Sequence, residues 1–378
     1  MIYLDNAATT KPLQFFTENC NAFLENKWQN PSAVYKSAVE VRSIVEATRD
    51  LAQKSLGNKY NAYFTSGGTE GANLAIFGSL PLNVKGLKVV TSAAEHACVY
   101  NCFKELEKRG AVVSYVKVNE FGVVDFEDFK RCLSHDTALI SIMHVNNITG
   151  GINDINTMYE YAKGVCPKAV FHSDGVQGYL KTGIIPKCHL YTVSGHKINA
   201  LKGIGILFVR KGFKFESRFF GGGQEKGMRS GTENTLGIYS LNYAIDFWLN
   251  SFKENITHMA NMQKLFLKEI SGLEGVVLNS QVGGAAHILN LSFIGIGGEI
   301  LLHSLEGSGI CVSTGSACSS RRKDPRISNA LGYDKARAES QIRISFAYDT
   351  KEEDIVFTAN KIAEICSEHR ILMKSKRR

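Results

Sequence analysis

The chain reads as an α/β protein built on a mainly parallel sheet, with a smaller α+β part towards its C-terminal end. Three features of the residue order predict this. Between about residues 60 and 209, short β-branched runs alternate with longer amphipathic stretches, as in strand–helix–strand units. Polar, glycine-containing clusters directly follow several of those runs, where site loops sit at the carboxyl ends of parallel strands. From residue 235 a long helical pattern carries no strands, and the strands beyond it are few and mixed in order.

In chain order, strand-like pieces fall at 62–65, 88–91, 112–118, 138–143, 169–173, 190–193 and 204–209. Helical spacing occupies 72–77, 99–109, 126–132 and 155–163 between them, and then the whole stretch 235–270. Further strands are expected at 287–293, 310–313 and 341–346, with helices at 299–305 and 352–367. These elements divide the chain into a large domain over 15–250 and a small one made of 1–14 and 251–378. No repeat or low-complexity linker separates them, so the two are expected to pack together.

Composition bounds the function. With 378 residues, 44% hydrophobic and 21% charged, the chain is long enough for two domains and ordinary for a globular protein. No apolar run reaches the length of about 18 residues that a membrane span needs, and the N-terminal residues lack a signal-peptide pattern. Nine cysteines, odd in number and scattered, argue against a disulfide framework and for a reducing cytoplasm. The net charge of +8 permits an acidic partner, but the one dense basic cluster, Lys374, Lys376, Arg377 and Arg378, reads as a solvated tail. No nucleic-acid module accompanies it.

Four clusters carry chemistry. In Phe64-Thr65-Ser66-Gly67-Gly68-Thr69-Glu70, glycines between a strand and a helix let backbone N–H groups meet an anion at a helix N-terminus. The same stretch alone is equally a plain turn with Thr69 as N-cap. Asp174 ends one strand-like run, and Ser194-Gly195-His196-Lys197 follows the next. Singly these are a helix cap and a surface lysine. Together they are what a Schiff-base cofactor needs: an amine for its aldehyde and a carboxylate for its ring nitrogen. A unit-charge pair about 4 Å apart at an effective dielectric near 20 is worth roughly 4 kcal/mol, or about three pKa units.

The third cluster joins Gly221-Gly222-Gly223-Gln224-Glu225 to Arg229-Ser230-Gly231-Thr232-Glu233-Asn234, which alone could be a flexible loop. In the fourth, Ser313-Thr314-Gly315-Ser316-Ala317-Cys318, small residues leave the thiol unshielded, and Arg321, Arg322 and Lys323 follow. Nearby positive charge lowers a thiol pKa from about 8.5. These three cations are either an acceptor-docking patch or a solvated loop tip. Cys98 and Cys102 share a helix face, but no second ligand pair has metal-site spacing, so no metal is expected. Cys20, Cys132, Cys166, Cys188, Cys311 and Cys366 read as packing residues.

With these motifs, the sequence resembles the cysteine desulfurases of the class V aminotransferase group, on the side of the branch with a long cysteine loop. The resemblance runs from Tyr3 to Phe346 and rests on ordered motifs. They are Asn30-Pro31-Ser32, Gly67-Gly68-Thr69-Glu70, Glu95-His96, Asn146-Asn147, Asp174 with Gln177, Ser194-Gly195-His196-Lys197, the Arg229 to Asn234 run and Gly315-Ser316-Ala317-Cys318. It implies the type I fold of pyridoxal 5'-phosphate (PLP) enzymes, with a seven-stranded sheet in the large domain and the cysteine loop in the small one. Lys197 would carry the cofactor and shuttle a proton, His96 would lie over its ring, and Asp174 would pair with the ring nitrogen. Gln177 and Asn147 would contact the ring hydroxyl. Gly68, Thr69, Ser194 and His196 would hold the phosphate, with Thr232 supplied by the second subunit of a homodimer. Arg343, aided by Asn30 and Asn147, would clamp the carboxylate of L-cysteine. Cys318 would take the sulfur as a persulfide, leaving L-alanine, and pass it to an acceptor protein for iron–sulfur clusters or thiolation.

The sequence departs from the family pattern at Tyr35, where a histidine is frequent, at Ile148, where Glu is usual, and at Ala200-Leu201-Lys202 before Gly203. A C–S lyase, a selenocysteine lyase or an aminotransferase would use the same cofactor site, but none of these needs Cys318. A non-catalytic relay subunit would not need Lys197, Asp174, His96 and Arg343 together.

Overall fold

The computed structural model describes residues 1–314 and 325–375; Cys318, the run Arg321, Arg322 and Lys323, and the tail residues Lys376, Arg377 and Arg378 lie outside the described residues. The chain opens with β1 (Ile2–Tyr3), α1 (Gln14–Asn26) and α2 (Lys36–Ser55). Strand and helix then alternate: β2 (Tyr60–Thr65), α3 (Gly68–Gly78), β3 (Lys88–Ser92), α4 (Ala97–Lys108), β4 (Val112–Val116), α5 (Phe126–Cys132), β5 (Thr137–Ser141), α6 (Ile155–Val165) and β6 (Val170–Asp174). Strands β7 (Leu190–Ser194) and β8 (Gly205–Arg210) follow, then the long α7 (Thr235–Glu269). The remainder is β9 (Val276–Leu278), β10 (Ile288–Phe293), α8 (Gly298–Gly307), β11 (Ile310–Cys311), α9 (Arg326–Ala330), α10 (Lys335–Glu339), β12 (Gln341–Ser345) and α11 (Glu352–Ser375).

Seven strands form one sheet in the order β2-β8-β7-β6-β5-β3-β4. Strand β8 alone runs antiparallel, to both β2 and β7, so the sheet is mainly parallel as predicted. Period-two alternation along each central strand builds two cores, one per face. Val90, Ile140, Tyr191 and Phe208 point to the face covered by α2, α5, α6 and α7. Their neighbours Val89, Leu139, Leu190 and Leu207 point to the other, covered by α3 and α4. The first core continues into the C-terminal part, taking in Leu289 and Leu291 of β10 and Ile342 and Ile344 of β12. There β12, β10 and β9 form an antiparallel sheet, and β1 pairs with β11.

Helices α1 and α2 and strand β9 fall where the sequence predicts no element. The buried face of α2 includes Thr48 and Arg49 among Ala38, Val41, Val45 and Ala52, so its apolar stripe is interrupted. Arg49 is tolerated inside because Glu225 pairs with both of its terminal guanidinium nitrogens, at 2.6 and 3.0 Å, and Glu46 with its Nε. The same carboxylate accepts the Phe64 amide at 2.8 Å, which ties the 221–234 region to the strand leading into the first glycine turn.

Candidate active site

Strands β2, β3, β5, β6 and β7 all end at the same edge of the sheet, and their following loops surround a cavity of about 200 Å³. Gly68, Thr69, His96, Asn147, Asp174, Gln177, Ser194, His196 and Lys197 line it, so one cavity collects most of the predicted site residues.

The turn after β2 enters α3 at Gly68, whose first amides have no partner within the helix. A Cβ at Gly68 would stand 2.9 Å from Val176 Cγ2, so only glycine lets the helix end come this close to the loop after β6. Asp174 ends β6, is 5% exposed, and among the described residues its carboxylate accepts one hydrogen bond, from the Val176 amide at 2.9 Å. Burial raises its pKa, while His96 and Lys197 pull it back down. Gly175 follows because a Cβ there would lie 2.0 Å from the Tyr191 ring.

Lys197 leaves a short 3₁₀ turn after β7, and its Nζ donates to the Ala7 and Ala8 carbonyls at 2.7 and 2.6 Å. The N-terminal segment therefore holds the amine in place. Thr10 reinforces it by accepting from the Asn199 amide and donating to the His196 carbonyl. His196 Nδ1 lies 3.1 Å from Thr9 Oγ1, and burial lowers the pKa of its ring to about 4, keeping it neutral. Gln177 donates to the Ala7 carbonyl at 2.8 Å, and its Oε1 meets His287 Nε2 at 3.2 Å.

His96 caps the N-terminus of α4, its Nδ1 accepting from the Cys98 amide at 3.3 Å. The neighbouring Glu95 is fully buried. Its Oε1 accepts from Ser92 Oγ at 2.6 Å and from the Met143 amide at 2.9 Å, while Oε2 has no partner. Burial pushes its pKa up to about 8, so it is a neutral acid at pH 7.

Arg343 lies on β12, 2% exposed and outside the cavity lining, yet its Nη1 donates to the Asn147 carbonyl at 2.9 Å. Its Nη2 pairs with Asp5 at 2.8 Å, and its buried Nε has no partner. Asn30 is exposed on the loop before α2 and does not line the cavity; its Oδ1 accepts from the Ser32 amide. Thr232 is also exposed and lines a separate pocket with Ser66, Arg229 and Asn234.

Sequence reasoning missed the Ala7 and Ala8 carbonyls on Lys197 and the Asp5 partner of Arg343. Neither leaves a side-chain signature near the residue it serves. It also assigned Cys98 only a helix-face position. In the structure this thiol lines the cavity, 3.0 Å from His96 Nδ1.

The residues present fit PLP. A buried carboxylate that accepts a single amide, an anchored lysine amine and a helix N-terminus open to an anion surround one cavity, matching a ring cation, an aldehyde and a phosphate.

Residues 2–356 match the model of the family described as aminotransferase class-V. The chain is 35% identical to a cysteine desulfurase IscS of Dictyoglomus turgidum, over 98% of its own length and 96% of the relative's. It is 38% identical to a NifS/IcsS protein homolog of Lactobacillus delbrueckii subsp. bulgaricus, covering 95% of this chain and 96% of that one. Among solved structures it is similar to a NIFS-like protein, with a TM-score of 0.89, 30% identity, and coverage of 97% and 99%.

Proposed function

The chain belongs to the class V aminotransferase family and within it to the cysteine desulfurases, and from this we propose that it converts L-cysteine to L-alanine on PLP and hands the sulfur to an acceptor through Cys318. The observation that carries the cofactor assignment is the pairing of buried Asp174 with anchored Lys197 around one cavity. When bound, PLP supplies an electron sink for negative charge developing at the substrate Cα.

The chain's own groups do the rest. Asp174 offers a buried negative charge to the ring nitrogen, and a cation facing it offsets the desolvation that otherwise raises its pKa. The first amides of α3, with Thr69, Ser194 and His196, would hold the phosphate. Lys197 would hold the cofactor and would move a proton at the substrate carbon; the Ala7 and Ala8 carbonyls keep its Nζ in place. His96, its Nδ1 accepting from the Cys98 amide, would lie over the ring. Arg343 binds the substrate carboxylate with its remaining donor capacity, while Asp5 and the Asn147 carbonyl orient the guanidinium. Cys318 accepts the substrate sulfur as a persulfide.

The protein acts as a homodimer in which Thr232, exposed and away from its own cavity, completes the partner's phosphate site. In support of the division into 15–250 and the paired 1–14 with 251–378, the seven-stranded sheet falls in the first part and the two- and three-stranded sheets in the second, while α7 and the main core run across the boundary. Among the described residues no helix is long and apolar enough to cross a membrane. No disulfide joins the described cysteines. The sulfur is delivered in the cytoplasm to an acceptor in iron–sulfur assembly or thiolation.

Absorbance tests the cofactor assignment. The purified protein with PLP should show a visible band at about 400 nm that is lost in Lys197→Ala. An unchanged band in that variant would overturn the role given to Lys197.

A further inference from the structure

Cys98 has no part in the chemistry above, yet it stands in the cavity wall with its Sγ 3.0 Å from His96 Nδ1. One ligand atom from each of His96, Cys98 and Asp174 falls within 4.8 Å of the other two. Asp174 is 95% buried by its 5% exposure, and among the described residues its carboxylate accepts a single hydrogen bond. Thiol, imidazole and carboxylate form the mixed donor set that zinc and similar borderline divalent ions take. Bonds of about 2.0–2.3 Å put donors roughly 3.3–3.8 Å apart in a tetrahedron, so small side-chain rotations close the cluster.

We propose that, when the cofactor is absent, His96, Cys98 and Asp174 bind one zinc-like divalent cation, with water in the fourth position. Binding displaces the thiol proton: the Cys98 S–H bond breaks, a sulfur–metal bond forms, and the proton leaves to solvent. The imidazole nitrogen and the Asp174 carboxylate donate lone pairs without further proton loss. One thiolate and one carboxylate then balance the two positive charges, which is what a buried cation requires. Entry is provided by a groove between α3 and α4, of about 530 Å³, which meets the cavity at Thr69, His96 and Cys98. Local cysteine spacing could not reveal the site, because the third ligand comes from β6 rather than from α4.

His96 and Asp174 are also the residues assigned to the cofactor ring, so cation and cofactor exclude one another; this consequence rests on the proposed function, whereas the binding does not. A thiophilic metal would then block cofactor loading of the newly made chain rather than inhibit the loaded enzyme.

The test uses cobalt(II) as the probe and the cofactor-free full-length chain in a Cys318→Ala background, so that any thiolate signal is not from that residue. One equivalent of cobalt should bind and produce thiolate-to-cobalt charge-transfer absorption. Cys98→Ser should abolish that absorption, and Cys102→Ser should retain it. Circular dichroism of each variant reports whether the fold is kept, and cadmium binding to the Cys102→Ser protein gives a second thiolate readout. PLP held at 100 times its own dissociation constant should raise the apparent cobalt dissociation constant about 100-fold. Absence of the charge-transfer band, or its survival in folded Cys98→Ser, would overturn the proposal; cobalt affinity indifferent to PLP would overturn the mutual exclusion that rests on the proposed function. None of these readouts depends on turnover, so a chain that binds cobalt as described but makes no alanine would refute the desulfurase reading alone.

Discussion

Replacing Glu95 with Gln should make the protein more stable at alkaline pH and change it little in acid. Glu95 is fully buried, with its Oε1 accepting two hydrogen bonds that an amide oxygen can accept equally well. Desolvation lifts its pKa from 4.5 to about 8. Because the folded value exceeds the unfolded one, the folded state holds the proton more tightly. The stability linked to that proton is complete below about pH 4.5 and is lost as pH rises through about 8. A shift of about 3.5 units corresponds to roughly 5 kcal/mol in all, of which about 4 kcal/mol is lost between pH 5 and pH 9. Gln carries no such proton. Urea denaturation of the cofactor-free wild type and Glu95→Gln, side by side at pH 5, 7 and 9, should therefore show a difference that grows by about 4 kcal/mol in favour of the variant. A difference that is the same at pH 5 and pH 9 would refute the reasoning, since it would mean that Glu95 ionises with an ordinary pKa.

Two further outcomes follow from buried charge. Glu225→Ala removes the buried partner of Arg49, leaving it the half-exposed Glu46 at Nε and the Ala62 carbonyl at Nη1; it should cost about 3 kcal/mol, read as a fall in the denaturation midpoint, and should loosen the turn carrying Gly68 through the lost Phe64 bond. Arg343→Lys keeps the charge but loses the planar fork; the KM for L-cysteine should rise about 10- to 100-fold, with a smaller change in kcat, in steady-state alanine assays.

The sheet was legible because its strands carry apolar residues on both faces and turn residues at their ends. Phe126–Cys132 is predicted to the residue, and α7 starts at Thr235 as predicted, where the structure shows Asn234 capping it by accepting the Gly237 amide. Lys197 and Asp174 were legible because their chemistry is side-chain chemistry at predicted strand ends. What stayed hidden depends on contacts between distant segments. Helix α2 buries an arginine whose partner lies far along the chain, so no periodicity scan favours it. The hold on Lys197 comes from backbone carbonyls, which every residue has. Asp5 meets Arg343 only because β12 bonds to the N-terminal segment, with the Ser345 amide donating to the Leu4 carbonyl. Cys98 reads as a helix-face residue until Asp174 is brought beside it.

The central claim is desulfuration of L-cysteine through Cys318, and product analysis tests it most directly. Purified protein with PLP, L-cysteine and a reductant should yield alanine and sulfide in equal amounts, and Cys318→Ala should lose both. Pyruvate in place of alanine, undiminished in the variant, would contradict the account.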